Sequence, residues 1–167
     1  MSTDLRSLQA DAGATFAPEA TTPTSFGAEG DRVAWTAALQ SAALYDGSAW
    51  GLLGIGGEDR LQFLHNQTTN DIKSLNPGQG ARAAIVNSTA RLLDLTTIYA
   101  MPEIAWASVS PGQAAALLAW FDRYIFPADR VELTDLGDEM SRFSLIGPDG
   151  AAILAGMGCK LALDGPL

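Results

Sequence analysis

Residues 81–110 read ARAAIVNSTARLLDLTTIYAMPEIAWASVS. Three apolar runs sit inside this stretch, "ARAAIVN", "RLLDLTTIYAM" and "IAWASVS". Their length and composition read as strands. The breaks between them, "STA" and "PE", are short. Connections of that length join antiparallel neighbours, because a parallel crossover needs a dozen or more residues. The second pair therefore reads as a tight hairpin, and the whole stretch predicts an antiparallel sheet.

Working outward, "WGLLGIGG" at 50–57 reads as a strand running into a turn. "EDRLQFLHNQ" predicts a helix with Leu61, Leu64 and Thr68 on one face. Glu58 and Asp59 fall in its first turn, where acids complement the helix dipole. "NPGQG" is a turn by composition. Downstream, Ser110 as N-cap and Pro111 at the first helical position open a helix whose stripe is Leu117, Phe121, Tyr124 and Ile125. "VELTDL" and "RFSLIG" read as further strands and "PDGAAILAGM" as a short final helix. Near the N-terminus, "DRVAWTAALQSAALYD" at 31–46 reads as one helix carrying Val33, Ala37 and Leu44, with Asp31 at its cap. Residues 1–30 are rich in Ala, Thr, Ser, Gly and Pro without a sustained period and read as a flexible arm, leaving 31–167 as the domain. The fold class is α+β, a mostly antiparallel sheet with helices packed on it.

Bulk properties bound the function. The chain has 167 residues, 47% of them hydrophobic, enough for one globule with a sizeable core. Its 10 basic and 19 acidic side chains give a net charge of −9, which argues against direct nucleic-acid binding and against an anionic membrane surface. One cysteine, Cys159, precludes an intramolecular disulfide or a cysteine-rich metal cage and fits a reducing compartment. No apolar run approaches the ~20 residues of a bilayer span, and no secretory leader pattern is present. A cytoplasmic protein is expected.

Few motifs carry chemistry unaided. His65 is the single histidine, no serine sits in a nucleophile elbow, and no His or Cys pair has metal-ligand spacing, so no metal site is expected. "GIGGED" lacks the dinucleotide fingerprint and reads as a turn. Cys159 beside Lys160 reads as an incidental thiol. "FLHNQTTNDI" at 63–72 concentrates seven consecutive polar residues between apolar ones. Such side chains can close a helix end by satisfying its unpaired carbonyls. "NSTARLLDL" places Asn87 at the end of one strand and Arg91 and Asp94 at the start of the next, with a surface Arg–Asp pair as the plain alternative.

Taken together, "GIGGEDRLQFLHNQTTNDIKSLNPGQG", "NSTARLLDLTTIYA", "SVSPGQ" and "WFDRYIFPADRVEL" resemble the first half of the folate-binding YgfZ proteins, in wording nearest their cyanobacterial and plastid-type members. These are relatives of the glycine-cleavage T-protein, an aminomethyltransferase. The resemblance covers roughly residues 33–156. It implies the N-terminal part of the T-protein-like folate-binding fold, tetrahydrofolate as ligand, and a role in iron–sulfur cluster assembly or repair with a link to tRNA modification. The implied partners are folate and iron–sulfur cluster proteins. Mapped onto this chain, Asn87, Arg91, Asp94, Tyr99, Val109 and Ser110 become the cofactor-binding candidates, and Asp94 the catalytic one. Val109 and Ser110 would lie in a loop before a helix N-terminus, with free amides facing outward. The resemblance also implies a second role for the polar run of "FLHNQTTNDI", in lining a ligand cavity.

Departures from the T-protein pattern narrow this reading. Its paired acids appear here as Asp94-Leu95, so leucine replaces the second, catalytic carboxylate. Leucine can neither take a proton nor steady a developing ammonium. A folate-contacting Asn is replaced by Ser110. The cysteine signature of the YgfZ second half is absent, and family members run to roughly twice this length. The resemblance thus implies a half-length relative, with true aminomethyl transfer or a non-catalytic interaction domain as the other readings. The apolar surface of an incomplete cavity makes self-association a risk.

Overall fold

The structure, a computed structural model, describes residues 4–158. They divide into two units, described separately below: residues 4–49 with 141–158, and residues 50–140. Cys159 lies outside the described residues.

The central unit is built on a five-stranded antiparallel sheet in the order β3-β4-β5-β2-β6. Its strands are β2 (Gly51–Gly56), β3 (Gly80–Val86), β4 (Leu92–Ala100), β5 (Ile104–Val109) and β6 (Glu132–Asp135). The three consecutive strands expected from residues 81–110 are present and adjacent. Alternation along each strand gives one core face, carrying Leu53, Ile55, Ala83, Ile85, Ile98, Ala105, Ala107 and Val109. Helices α3 (Arg60–Gln67) and α4 (Ala114–Asp122) supply Phe63, Leu64, Leu117 and Phe121 to the same core. Phe63 and Phe121 meet edge-on, ring centroids 5.7 Å apart. The predicted stripe of Leu117 and Phe121 is therefore real, with Tyr124 and Ile125 packed at its margin.

The polar stretch at 65–71 has a structural task. β3 is one of the two edge strands of the sheet, and an edge exposes unpaired N–H and C=O groups. The Thr69 N–H donates to Ala84 O at 3.1 Å, and the Ala84 N–H donates to Thr69 Oγ1 at 3.0 Å. Asn70 Nδ2 donates to Arg82 O at 2.8 Å. Thr68 Oγ1 donates to Leu64 O at 2.7 Å, closing the end of α3. One run of side chains thus caps a helix and covers a sheet edge.

The flanking unit contains α1 (Leu5–Asp11), α2 (Gly27–Gln40), β1 (Ala43–Asp46), β7 (Phe143–Ile146) and α5 (Gly150–Gly156). β1 and β7 form a two-stranded antiparallel ribbon. Three expectations are corrected. Residues 5–11 are helical, begun by the Asp4 carboxylate accepting from the Arg6 N–H, where no period was legible. The single helix expected over 31–46 is α2 followed by strand β1, broken at Ser41-Ala42. α2 also begins four residues before Asp31, inside the supposed arm, and the Asp31 carboxylate reaches back to accept from the Phe26 N–H and the Ser25 hydroxyl. Among the described residues, no helix is long and apolar enough to cross a membrane.

Candidate functional site

The hairpin between β3 and β4 fixes where each candidate side chain points. Asn87 opens its turn, and its Oδ1 accepts from the Thr89 N–H, the Thr89 hydroxyl and the Arg91 N–H at 2.8–3.0 Å. Ala90 takes φ +59°, a left-handed conformation, to close the turn. Ile85 pairs with Asp94 and Val86 with Leu92, so β4 carries one extra residue at this point. That bulge, Leu93, sets the alternation that follows. Asp94, Thr96, Ile98 and Ala100 turn inward, while Leu95, Thr97 and Tyr99 take the opposite face.

Asp94 is 7% exposed. Its Oδ1 accepts from the Ser110 hydroxyl at 2.6 Å and from the Leu95 N–H at 2.9 Å, and its Oδ2 accepts from the Ser110 N–H at 2.8 Å. A buried carboxyl oxygen pair with three donors is well satisfied, and one acceptor position of the roughly four remains. Beside it, the Thr96 hydroxyl donates to Ser108 O at 2.9 Å. The start of β4 is thereby stitched to the end of β5.

Ser110 is not the helix cap expected from the sequence. Residues 110–113 form a turn in which the Gln113 N–H donates to Ser110 O at 3.1 Å and Gly112 takes φ +74°. Pro followed by a positive-φ glycine is the pattern of a type II turn. α4 starts only at Ala114, with Gln113 at its cap. The Ser110 amide, expected to be free, is spent on Asp94. Val109 is a β5 residue, fully buried and paired with Gly51, rather than part of a loop. A Cβ on Gly51 would stand 2.7 Å from Val109 Cγ2, so the glycine makes room for the valine.

The structure brings Asp94, Val109 and Ser110 together. Asn87 and Arg91 stay in the hairpin turn, and the anticipated Arg91–Asp94 pair gives way to the Ser110 clamp. Tyr99 lies on the other face, its ring against Gly80, where an added Cβ would meet Tyr99 Cδ1 at 3.0 Å. Leu95 stands on that face too, 62% exposed.

A concavity lies where the polar run at 65–71 meets Asn87 of the hairpin. A cavity of about 280 Å³ is lined by Asn66, Gln67, Thr68, Asn87, Ser88, Trp120 and Tyr124. Another of about 330 Å³ shares Asn66, Gln67 and Tyr124 with it and adds Asp59 and Asp129. Trp120 and Tyr124, centroids 4.9 Å apart, sit at i and i+4 of one helix face and the residues after it. Tyr124 belongs to the stripe expected from the sequence; Trp120, one turn before it, does not, and their i, i+4 spacing was the available signal.

Comparison with known proteins agrees with this architecture. The family model described as "GCVT N-terminal domain" matches residues 8–164. A curated protein of Arabidopsis thaliana, "Putative transferase At1g60990, chloroplastic", is 36% identical over 110 residues, covering 66% of this chain and 26% of that protein. The aminomethyltransferase of Bacillus subtilis is 29% identical over 115 residues, covering 68% of this chain and 31% of that protein. The crystal structure of glycine cleavage system aminomethyltransferase T from Bartonella henselae superposes with a TM-score of 0.83 at 24% identity, over 95% of this chain and 44% of that chain. The chain thus spans about a quarter to a third of the length of these curated relatives, and the α+β fold expected from the sequence is the T-protein fold. With a match running over residues 8–164, the chain belongs to the GCVT N-terminal domain family.

Proposed function

We propose that this chain is the pterin-binding N-terminal portion of a tetrahydrofolate-dependent one-carbon transferase of the aminomethyltransferase type. The observation that carries the reading is the Asp94–Ser110 clamp at the junction of β4 and the β5–α4 turn. A reduced pterin is flat, with donors and acceptors along its edges, and calls for a few fixed polar groups beside an apolar wall. Asp94 offers its remaining acceptor position, held still by three hydrogen bonds. The Ser110 hydroxyl keeps its own lone pairs for a donor edge. Tetrahydrofolate, when bound, would be the acceptor of the one-carbon unit. The single cysteine supports work in a reducing compartment such as the cytoplasm.

Leu95 favours a second reading, in which folate is bound without aminomethyl transfer, as in the YgfZ branch associated with iron–sulfur cluster maintenance and tRNA modification. A leucine on the exposed face provides no acid for the transfer step. Calorimetric titration with tetrahydrofolate, followed by an assay for methylenetetrahydrofolate formation, separates the two. Binding with turnover supports the transferase. Binding without turnover, and turnover gained in Leu95→Asp, supports the second reading. No heat at millimolar folate refutes both.

A further inference from the structure

The sheet edge explains only part of the polar run at 65–71. Thr69 and Asn70 cover β3 and Thr68 closes α3, but Asn66 and Gln67 do neither. Both line the cavity of about 280 Å³, together with Asn87 and Ser88 of the hairpin turn and the aromatic pair Trp120 and Tyr124. All of these residues belong to the central unit, and Asp94 and Ser110 are not among them.

The cavity carries an excess of hydrogen-bond donors. Trp120 Nε1 is shut off from solvent and has no hydrogen-bond partner among the described residues. A buried indole N–H ordinarily finds an acceptor, because leaving it unpaired costs its full desolvation. Two amides of the same lining are oriented by bonds made on their oxygens. Asn87 Oδ1 accepts the three donors of its turn, and Asn66 Oδ1 accepts from Gln62 Nε2 at 2.9 Å. With both oxygens spent, each amide offers its NH2 end.

Charge narrows the ligand. No Asp, Glu, Lys, Arg or His lines this cavity. An entering carboxylate or phosphate would shed its hydration with no cation to replace it. The net charge of −9, and Asp59 and Asp129 in the adjoining concavity, add to that cost. A neutral carbonyl meets no such penalty. A flat apolar remainder suits Val86 and the rings of Trp120 and Tyr124, while the oxygens of Gln67 and Ser88 can accept the N–H that accompanies a carbonyl in an amide. The volume lies at the small end for a ligand site, room for one ring and its substituent.

We propose that this cavity binds a neutral planar carboxamide or ureide, its carbonyl received by the donors of Trp120, Asn66 and Asn87.

Nicotinamide, a soluble aromatic carboxamide, is the probe, and nicotinate is its charged counterpart. Magnetic resonance titration of the isotope-labelled chain follows the Trp120 indole signal, assigned by its loss in Trp120→Phe, and the side-chain NH2 signals of Asn66 and Asn87. With nicotinamide all three should shift and saturate, with a dissociation constant of ~1–20 mM for a ligand of this size. Nicotinate should bind roughly tenfold more weakly or worse. Trp120→Phe keeps a ring and removes the donor, and should raise the nicotinamide constant roughly threefold to tenfold, read at Asn66 and Asn87. Asn66→Ala, at an exposed position where the fold is not at stake, should act in the same direction, read at the indole. Shifts that never saturate would leave the cavity to water and overturn the proposal. Nicotinate binding as tightly as nicotinamide, or a constant unchanged in both variants, would overturn it as well.

Discussion

Ser110 grips Asp94 twice, with its hydroxyl 2.6 Å from Oδ1 and its amide 2.8 Å from Oδ2. The two residues are sixteen apart in the chain and belong to different strands' ends, so the contact is tertiary. Removing the hydroxyl in Ser110→Ala leaves Asp94 two donors and should cost ~1–2 kcal/mol. Asp94→Ala is worse. It strands the amides of Ser110 and Leu95 in a site with little access to water, and a loss of ~2–4 kcal/mol is expected. Urea denaturation of both variants gives the order; an Asp94→Ala chain as stable as the wild type would show that the clamp contributes nothing to the fold.

Two glycines with nearly the same φ make a controlled pair. Gly57 and Gly78 have φ +89° and +91°. At Gly78 an added Cβ meets nothing within 4 Å, whereas at Gly57 it would stand 1.9 Å from Arg130 O. Gly78→Ala therefore carries only the left-handed backbone cost of about 1–2 kcal/mol. Gly57→Ala carries the same cost plus a collision with backbone, at the turn that aims α3. The difference between their unfolding free energies should exceed ~1 kcal/mol. Equal losses would mean that the chain yields freely around Arg130.

The strands around Asp94 were legible because each is a dense apolar run closed by a short break, and such runs hardly depend on context. Boundaries that depend on tertiary partners were not. Ser110-Pro111 has the letters of a helix start, but Gly112 diverts it into a turn and Asp94 captures the serine amide. Leu44 continues the spacing of α2, and only its pairing with Leu145, a hundred residues downstream, makes it a strand residue. For the candidate site, sequence spacing named Asp94 and Ser110 together. It could not tell that Asn87 is consumed by its own turn, since three donors converge on Oδ1 only when Ala90 goes left-handed. Nor could it tell that the polar run at 65–71 covers an edge strand, because which strand is the edge is a property of the whole sheet.

Acid should loosen the fold through specific carboxylates. The backbone N–H of Arg130, 3.0 Å from Asp59 Oδ2, holds the Asp59 carboxyl below its ordinary value of 3.8, and the Arg130 guanidinium adds to this. Asp31 is lowered by the Ser25 hydroxyl and the Phe26 N–H. At Asp46 burial pushes upward, but hydrogen bonds from Ser48 and Gln9 outweigh it. A carboxyl whose value is depressed in the fold stabilises above the unfolded value, and that contribution fades as pH falls through the folded one. The melting temperature should therefore be level on this account down to about pH 4 and decline below it, and Asp59→Asn should make the decline shallower. An unaltered acid limb in that variant would remove Asp59 from the explanation.

The cover on β3 rests most directly on Thr69, whose hydroxyl accepts the Ala84 N–H at 3.0 Å while its own N–H donates to Ala84 O at 3.1 Å. Thr69→Val keeps shape and β-branching and removes one acceptor, so the change isolates a single hydrogen bond. Thr69 is exposed, and water can replace the lost partner, so the global cost should stay near ~0.5–1 kcal/mol. The local effect should be larger than the global one. With its partner gone, the Ala84 amide opens by fraying of the edge rather than by unfolding, and its hydrogen exchange should speed up several-fold while the amides of Ile55 and Ala107, in the middle of the sheet, keep their rates. Acceleration at all three sites alike would mean that the edge has no separate opening, and that the polar run stabilises the sheet only as a whole.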